Sequence, residues 1–106
     1  MSFSFQNTLD YANVLNSLGN AYTSKAQNEE GSKAYTLAEE TFERMGLHKT
    51  RGYADLMNNM ALWYEKKSDG SSVGKYYRRA CNAYIAAGYM GVTKDKACLS
   101  AERLKE

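Results

Sequence analysis

The sequence predicts an all-α fold: an α-solenoid of two helix-turn-helix repeats followed by a C-terminal capping helix. Three observations predict it. The chain repeats itself at a spacing of 42 residues, and within each copy apolar or small residues recur at i, i+3, i+4 and i+7. The 106 residues also include no proline, and no segment carries a competing strand pattern. With 43% apolar and 25% charged residues, the composition is that of one globular domain, residues 1–106.

The repeat is direct. A slide of 42 residues superposes Tyr11 and Ala12 on Tyr53 and Ala54, Asn16 on Asn58, Tyr22 on Tyr64 and Lys25 on Lys67. Lys33 then falls on Lys75, Tyr35 on Tyr77, Ala38 on Ala80 and Gly46 on Gly88, nine identities over the 36 residues from 11 to 46 without a gap. Leu18/Met60, Gly19/Ala61 and Phe42/Tyr84 are conservative pairs in the same register.

Each copy reads as two helices. In the first, Tyr11, Val14, Leu15, Leu18, Gly19 and Tyr22 lie on one helical face, with Asn7 or Thr8 as the cap and Asp10 in the first turn. A break near Gln27 and Asn28 precedes a second helix marked by Ala34, Tyr35, Ala38 and Phe42, and Gly46 suits the left-handed residue that ends it. The second copy gives a helix over 53–67, a break at Ser68, Asp69 and Gly70, and a helix over about 72–87 ended by Gly88. Repeat 1 therefore spans about 8–46 and repeat 2 about 50–88. Two helices approach closely only where one side chain is nearly absent. Gly19/Ala61 and Ala38/Ala80 supply that space, with Tyr22, Tyr64, Tyr35 and Tyr77 to fill it. The last segment, about 93–105, carries a narrow stripe of Ala97, Cys98, Ala101 and Leu104 with charged residues facing away, which suits a terminal cap.

Charge and rare residues narrow the function classes. Residues 1–46 hold three basic and six acidic side chains; residues 47–106 hold eleven basic and six acidic, so −3 and +5 make the net +2. A net +2 is too weak to imply nucleic acid; the split reads first as two solvated surfaces, the alternative being a charged ligand or head-to-tail association. No apolar run reaches the roughly 20 residues of a membrane span, so no membrane role is expected. The opening MSFSFQ lacks the basic and apolar regions of a signal peptide, which makes a cytoplasmic, reducing location the default. Two cysteines, Cys81 and Cys98, do not staple a small scaffold and lack metal-ligand spacing, and His48 is the sole histidine. No cofactor or metal is expected. Glu39, Glu40 and Glu43 form a charged helix face rather than a converging pair, and Cys81 has no base beside it in the pattern, so no catalytic residue is assigned.

The residues that carry the repeat resemble the tetratricopeptide repeat family. Leu15, Leu18, Gly19 and Tyr22, followed by Gly31, Tyr35 and Ala38, fit its pattern, as do Met57, Met60, Ala61 and Tyr64, followed by Val73, Tyr77 and Ala80. The 42-residue period, with the additional residues after Ala38 and Ala80, is similar to the kinesin-light-chain type of that repeat. Neither copy has the family's early tryptophan or its terminal proline, and two repeats make a short array.

The resemblance implies a concave face, formed by the first helices, that binds a peptide or helical segment of another protein. The matching positions are Asn13, Asn16, Ser17 and Asn20 in the first copy and Asp55, Asn58, Asn59 and Leu62 in the second, all expected to be exposed. Asparagine suits the task because its amide donates to and accepts from a peptide backbone. Flanking contacts are assigned to Tyr53, Trp63, Lys66, Tyr76 and Lys94, with Trp63 either packed against the cap helix or exposed as an anchor. Lys66, Lys67, Lys94 and Lys96 read first as solubilising lysines, the alternative being a positive mouth that favours an acidic or carboxylate-ended peptide. Lys75, Tyr76, Tyr77, Arg78 and Arg79 mix cations with aromatics, but the helix pattern claims Tyr77 and leaves only Tyr76 to stack, which argues against nucleic acid as a partner. The expected function is a non-catalytic interaction module. Its alternatives are a self-associating scaffold, with apolar faces exposed on the first or last helix, and a small regulator that blocks a larger complex.

Overall fold

A computed structural model describes residues 8–67 and 70–104, and over them the chain is all-helical. The five helices are α1 (Leu9–Ser24), α2 (Asn28–Arg44), α3 (Arg51–Lys66), α4 (Gly70–Ala86) and α5 (Val92–Arg103). Asn7 as an alternative cap, the break residues Ser68 and Asp69, and Lys105 lie outside the described residues.

The 42-residue register persists in the backbone. Thr8 caps α1 by accepting the Tyr11 amide at 3.0 Å, and Thr50, 42 residues on, caps α3 by accepting the Tyr53 amide at 3.2 Å. At the other end of each copy, Gly46 and Gly88 take φ of +68° and +77°. The Leu47 amide then donates to the Phe42 carbonyl and the Tyr89 amide to the Tyr84 carbonyl, each at 2.9 Å, which satisfies carbonyls that the helix leaves unpaired. The α1 terminus uses the same motif with a residue less suited to it. Ala26 holds φ of +62° while the Gln27 amide donates to the Tyr22 carbonyl at 2.9 Å.

The chain divides into two compact units, with the boundary between Leu47 and His48. In the first, α1 packs on α2 through a line of small residues. Ala12, Leu15, Asn16 and Gly19 are the buried positions of α1, facing Gly31, Ala34, Tyr35, Ala38, Thr41 and Phe42 of α2. Gly19 makes the approach possible: a β-carbon there would lie 2.5 Å from Cδ1 of Tyr35. Tyr35 thus fills the space that Gly19 leaves, and burial of Phe42 adds about 1.5–3 kcal/mol. This contact rotates α1 relative to the expected face. Val14 and Leu18 are 47% and 42% exposed, whereas Asn16, expected in solvent, is buried.

In the second unit, α4 packs against both α3 and α5. Tyr53, Leu56, Met57, Met60 and Trp63 of α3 meet an inner face of Val73, Tyr76, Tyr77, Ala80 and Tyr84 on α4. Two tyrosine hydroxyls cross from α4 to α3: Tyr84 donates to Asp55 Oδ1 at 2.5 Å and Tyr77 to Glu65 Oε1 at 3.0 Å. Helix α5 adds only Ala97 and Ala101 to the buried set. A disulfide between Cys81 of α4 and Cys98 of α5 joins it covalently to the unit. That bridge corrects the expectation that Cys81 and Cys98 do not staple the fold. Cys81 and Cys98 sit on facing stretches of adjacent helices, their Cα atoms 4.8 Å apart. Among the described residues, no helix is long and apolar enough to cross a membrane.

Candidate functional site

The second unit holds a groove between α3 and α5, of about 490 Å³. Asn58 and Leu62 form the α3 wall. Four residues apart, they share one side of the helix. The α5 wall is Thr93, Lys96, Leu99, Ser100 and Arg103, whose spacing of three and four residues is likewise one helical face. Tyr77 of α4 also lines the groove. Burial pushes its hydroxyl pKa up to about 12, and the hydrogen bond to Glu65 and the Glu65 charge act in the same direction, against the opposing pull of Arg103. The phenol is therefore a neutral donor, held in place by the bond to Glu65.

The groove is chemically mixed. Leu62 and Leu99 offer exposed apolar surface, 45% and 69% accessible, while Asn58 and Ser100 offer donors and acceptors. Lys96 and Arg103 are exposed cations on the α5 wall, with no carboxylate lining the groove among the described residues. An extended segment with an apolar side chain and a negative charge matches this lining.

A second, open depression of about 570 Å³ runs along α1 in the first unit. Its lining alternates polar and apolar positions: Asn13 and Ser17 beside Val14, Leu18 and Ala21, with Asp10 at one end.

The residues predicted from sequence divide between these places. Asn58 and Leu62 line the groove, and Asn13 and Ser17 line the α1 depression. Asn20 is exposed on α1, while Asn59 is half-buried on α3. The rest need correction. Asn16 is 8% accessible, because the Ala12–Gly19 side of α1 is the side that meets α2. Asp55 is committed to structure, accepting from Tyr84 through Oδ1 and lying 4.0 Å from Arg51 through Oδ2. That bond and burial together raise the Tyr84 pKa far above its ordinary value, burial being the larger cause.

The flanking aromatics are mostly inside. Tyr53 is buried with its ring 5.1 Å from His48. Trp63 is buried against Tyr64, with the Lys67 ammonium 4.4 Å over its ring, so it is not an exposed anchor. Tyr76 is buried and stacked on Tyr64 at 5.2 Å, with Lys75 and Arg79 near the same ring, so it is not an exposed flanking contact. Tyr89 packs on Tyr84 beneath the Arg51 guanidinium. Lys94 is half-buried and paired with Asp95 at 2.9 Å, whereas Lys66 is exposed. Sequence reasoning missed Arg103, Leu99 and Ser100 as binding residues. Their shared face on the last helix, alongside Lys96, was the available signal.

No family model matches the chain, and neither a curated protein nor a solved structure matches it.

Proposed function

We propose that the protein is a non-catalytic interaction module that takes an extended, acidic segment of another protein into the groove between α3 and α5. The observation that carries this reading is the lining: besides Tyr77, two apolar side chains, three hydrogen-bonding side chains and two cations line one groove. The tetratricopeptide-like solenoid belongs to the same proposal. It is supported by the shared 42-residue register of the threonine caps and the left-handed glycines. A cytoplasmic location is retained in this reading, and there a disulfide is typically transient and tied to oxidation.

The test is a selection from a displayed random-peptide library, run on the wild type and on a Leu62→Asp/Leu99→Asp variant of equal helicity. Enrichment of acidic peptides that the variant fails to retain supports the groove. Failure to enrich any peptide, or equal retention by both proteins, refutes it.

One observation favours a second reading, self-association. Leu9, Val14 and Leu18 of α1 are 39–47% exposed, and Met90, Val92 and Leu99 at α5 are 69–71% exposed. The two sets lie in units of opposite net charge, −3 and +5 by the residue count on either side of Leu47. A molar mass that rises with concentration in sedimentation would select this reading, and a constant monomer mass would dismiss it.

A further inference from the structure

Helix α5 packs on α4 but buries few side chains of its own. It is twelve residues long and buries only the two small side chains Ala97 and Ala101. The cap residue Gly91 supplies no side-chain acceptor. A helix of this length is marginal by itself, and its stability comes from what it packs against. The Cys98–Cys81 bridge joins the middle of α5 to α4 across 17 residues of chain. Both cysteines are half-buried rather than enclosed, and exchange depends on access of a thiol to the bridge. Five of the groove's lining residues, including both cations, are carried by α5.

We propose that the Cys81–Cys98 disulfide is a redox latch on the groove. Closed, it fastens α5 to α4 and completes the binding surface. Open, it releases α5 and removes Lys96, Leu99 and Arg103 from the α3 wall. The consequence for binding rests on the groove reading above; the latch itself does not.

The chemistry is thiol–disulfide exchange with a low-molecular-weight thiol. A thiolate attacks one sulfur, the cystine bond breaks, and the departing cysteine thiolate takes up a proton. A second thiolate then attacks the mixed disulfide, releasing the other cysteine as a thiol and the oxidised small-molecule disulfide. Two electrons and two protons enter the protein, and the same oxidised disulfide closes the latch in reverse.

Hydrogen exchange of the full chain, labelled in the oxidised and in the fully reduced state, tests this. The gain of two hydrogens in the intact mass verifies reduction. The latch predicts that amides of α5 exchange faster by on the order of tenfold or more after reduction, while α1–α4 keep their protection. A Cys81→Ser/Cys98→Ser variant should reproduce the reduced pattern. Unchanged α5 protection in the reduced protein or in the variant overturns the proposal. So does an equal loss across α3 and α4, which would make the bridge a staple of the whole unit. A peptide selected on the oxidised protein should also bind the reduced one more weakly, and equal binding would overturn the link to the groove. If no peptide binds in either state, the groove reading fails, and the exchange pattern still decides the latch.

Discussion

Gly19 and Tyr35 show how one missing side chain fixes the position of a helix. A Gly19→Ala substitution puts a methyl group into the Tyr35 ring and should destabilise the protein by about 1–3 kcal/mol, read from denaturant unfolding. Tyr77 makes a prediction of the opposite chemical kind. Its pKa is raised to about 12 in the folded state from the ordinary 10.0, so the folded protein holds this proton more tightly. Its contribution is fully present below pH 10 and is lost as pH rises toward 12. The melting temperature should therefore fall over that interval, and less steeply in Tyr77→Phe; identical slopes would contradict it. These small and aromatic positions were legible in the sequence, because spacing alone pairs a gap with a ring. Asn16 was not legible. A polar residue on α1 reads as solvent-facing until the Gly19 contact shows which side of the helix is covered. The same holds for Trp63 and Tyr76, since helical periodicity cannot tell an anchor from a core ring.

Helix ends repeat more faithfully than helix faces. Thr8 and Thr50 cap equivalent helices, and replacing either with alanine should cost about 1 kcal/mol by thermal or denaturant unfolding. Ala26 holds a left-handed conformation that glycine adopts at two of the other helix ends. Ala26→Gly should therefore raise stability by a few tenths to about 1 kcal/mol, the relief of strain being partly offset by the greater freedom of the unfolded chain. A loss of stability would mean that the strain is absorbed elsewhere. The number and order of elements were legible, with boundaries shifted by one or two residues at α3, α4 and α5. The bridge between α4 and α5 was not. Two cysteines 17 residues apart carry no pairing signal until α4 and α5 are known to lie side by side. Closing a loop of that size stabilises by roughly 3 kcal/mol in the chain-entropy view, a large contribution for a helix that buries two alanines.

At the scale of the whole molecule, the charge split coincides with the division into compact units. Acidic side chains predominate before His48 and basic ones after it. Association driven by that asymmetry should weaken as salt rises, because screening shortens the range of exposed charges to about 10 Å at 0.1 M ionic strength. The same dependence applies to an acidic segment at Lys96 and Arg103, and charge reversal at both should weaken binding mainly through a slower association rate. Part of the candidate site was visible in the sequence, as Asn58, Leu62 and Lys96. Thr93, Leu99, Ser100 and Arg103 of α5 emerged only from the packing of that helix beside α4.

The groove is tested most directly by mapping amide chemical shifts in isotopically labelled, oxidised protein as a selected acidic peptide is added. The account predicts that the perturbed amides cluster at residues 58–62 and 93–103, with α2 unaffected. Perturbations confined to α1, or spread along the outer face of α2, would contradict it.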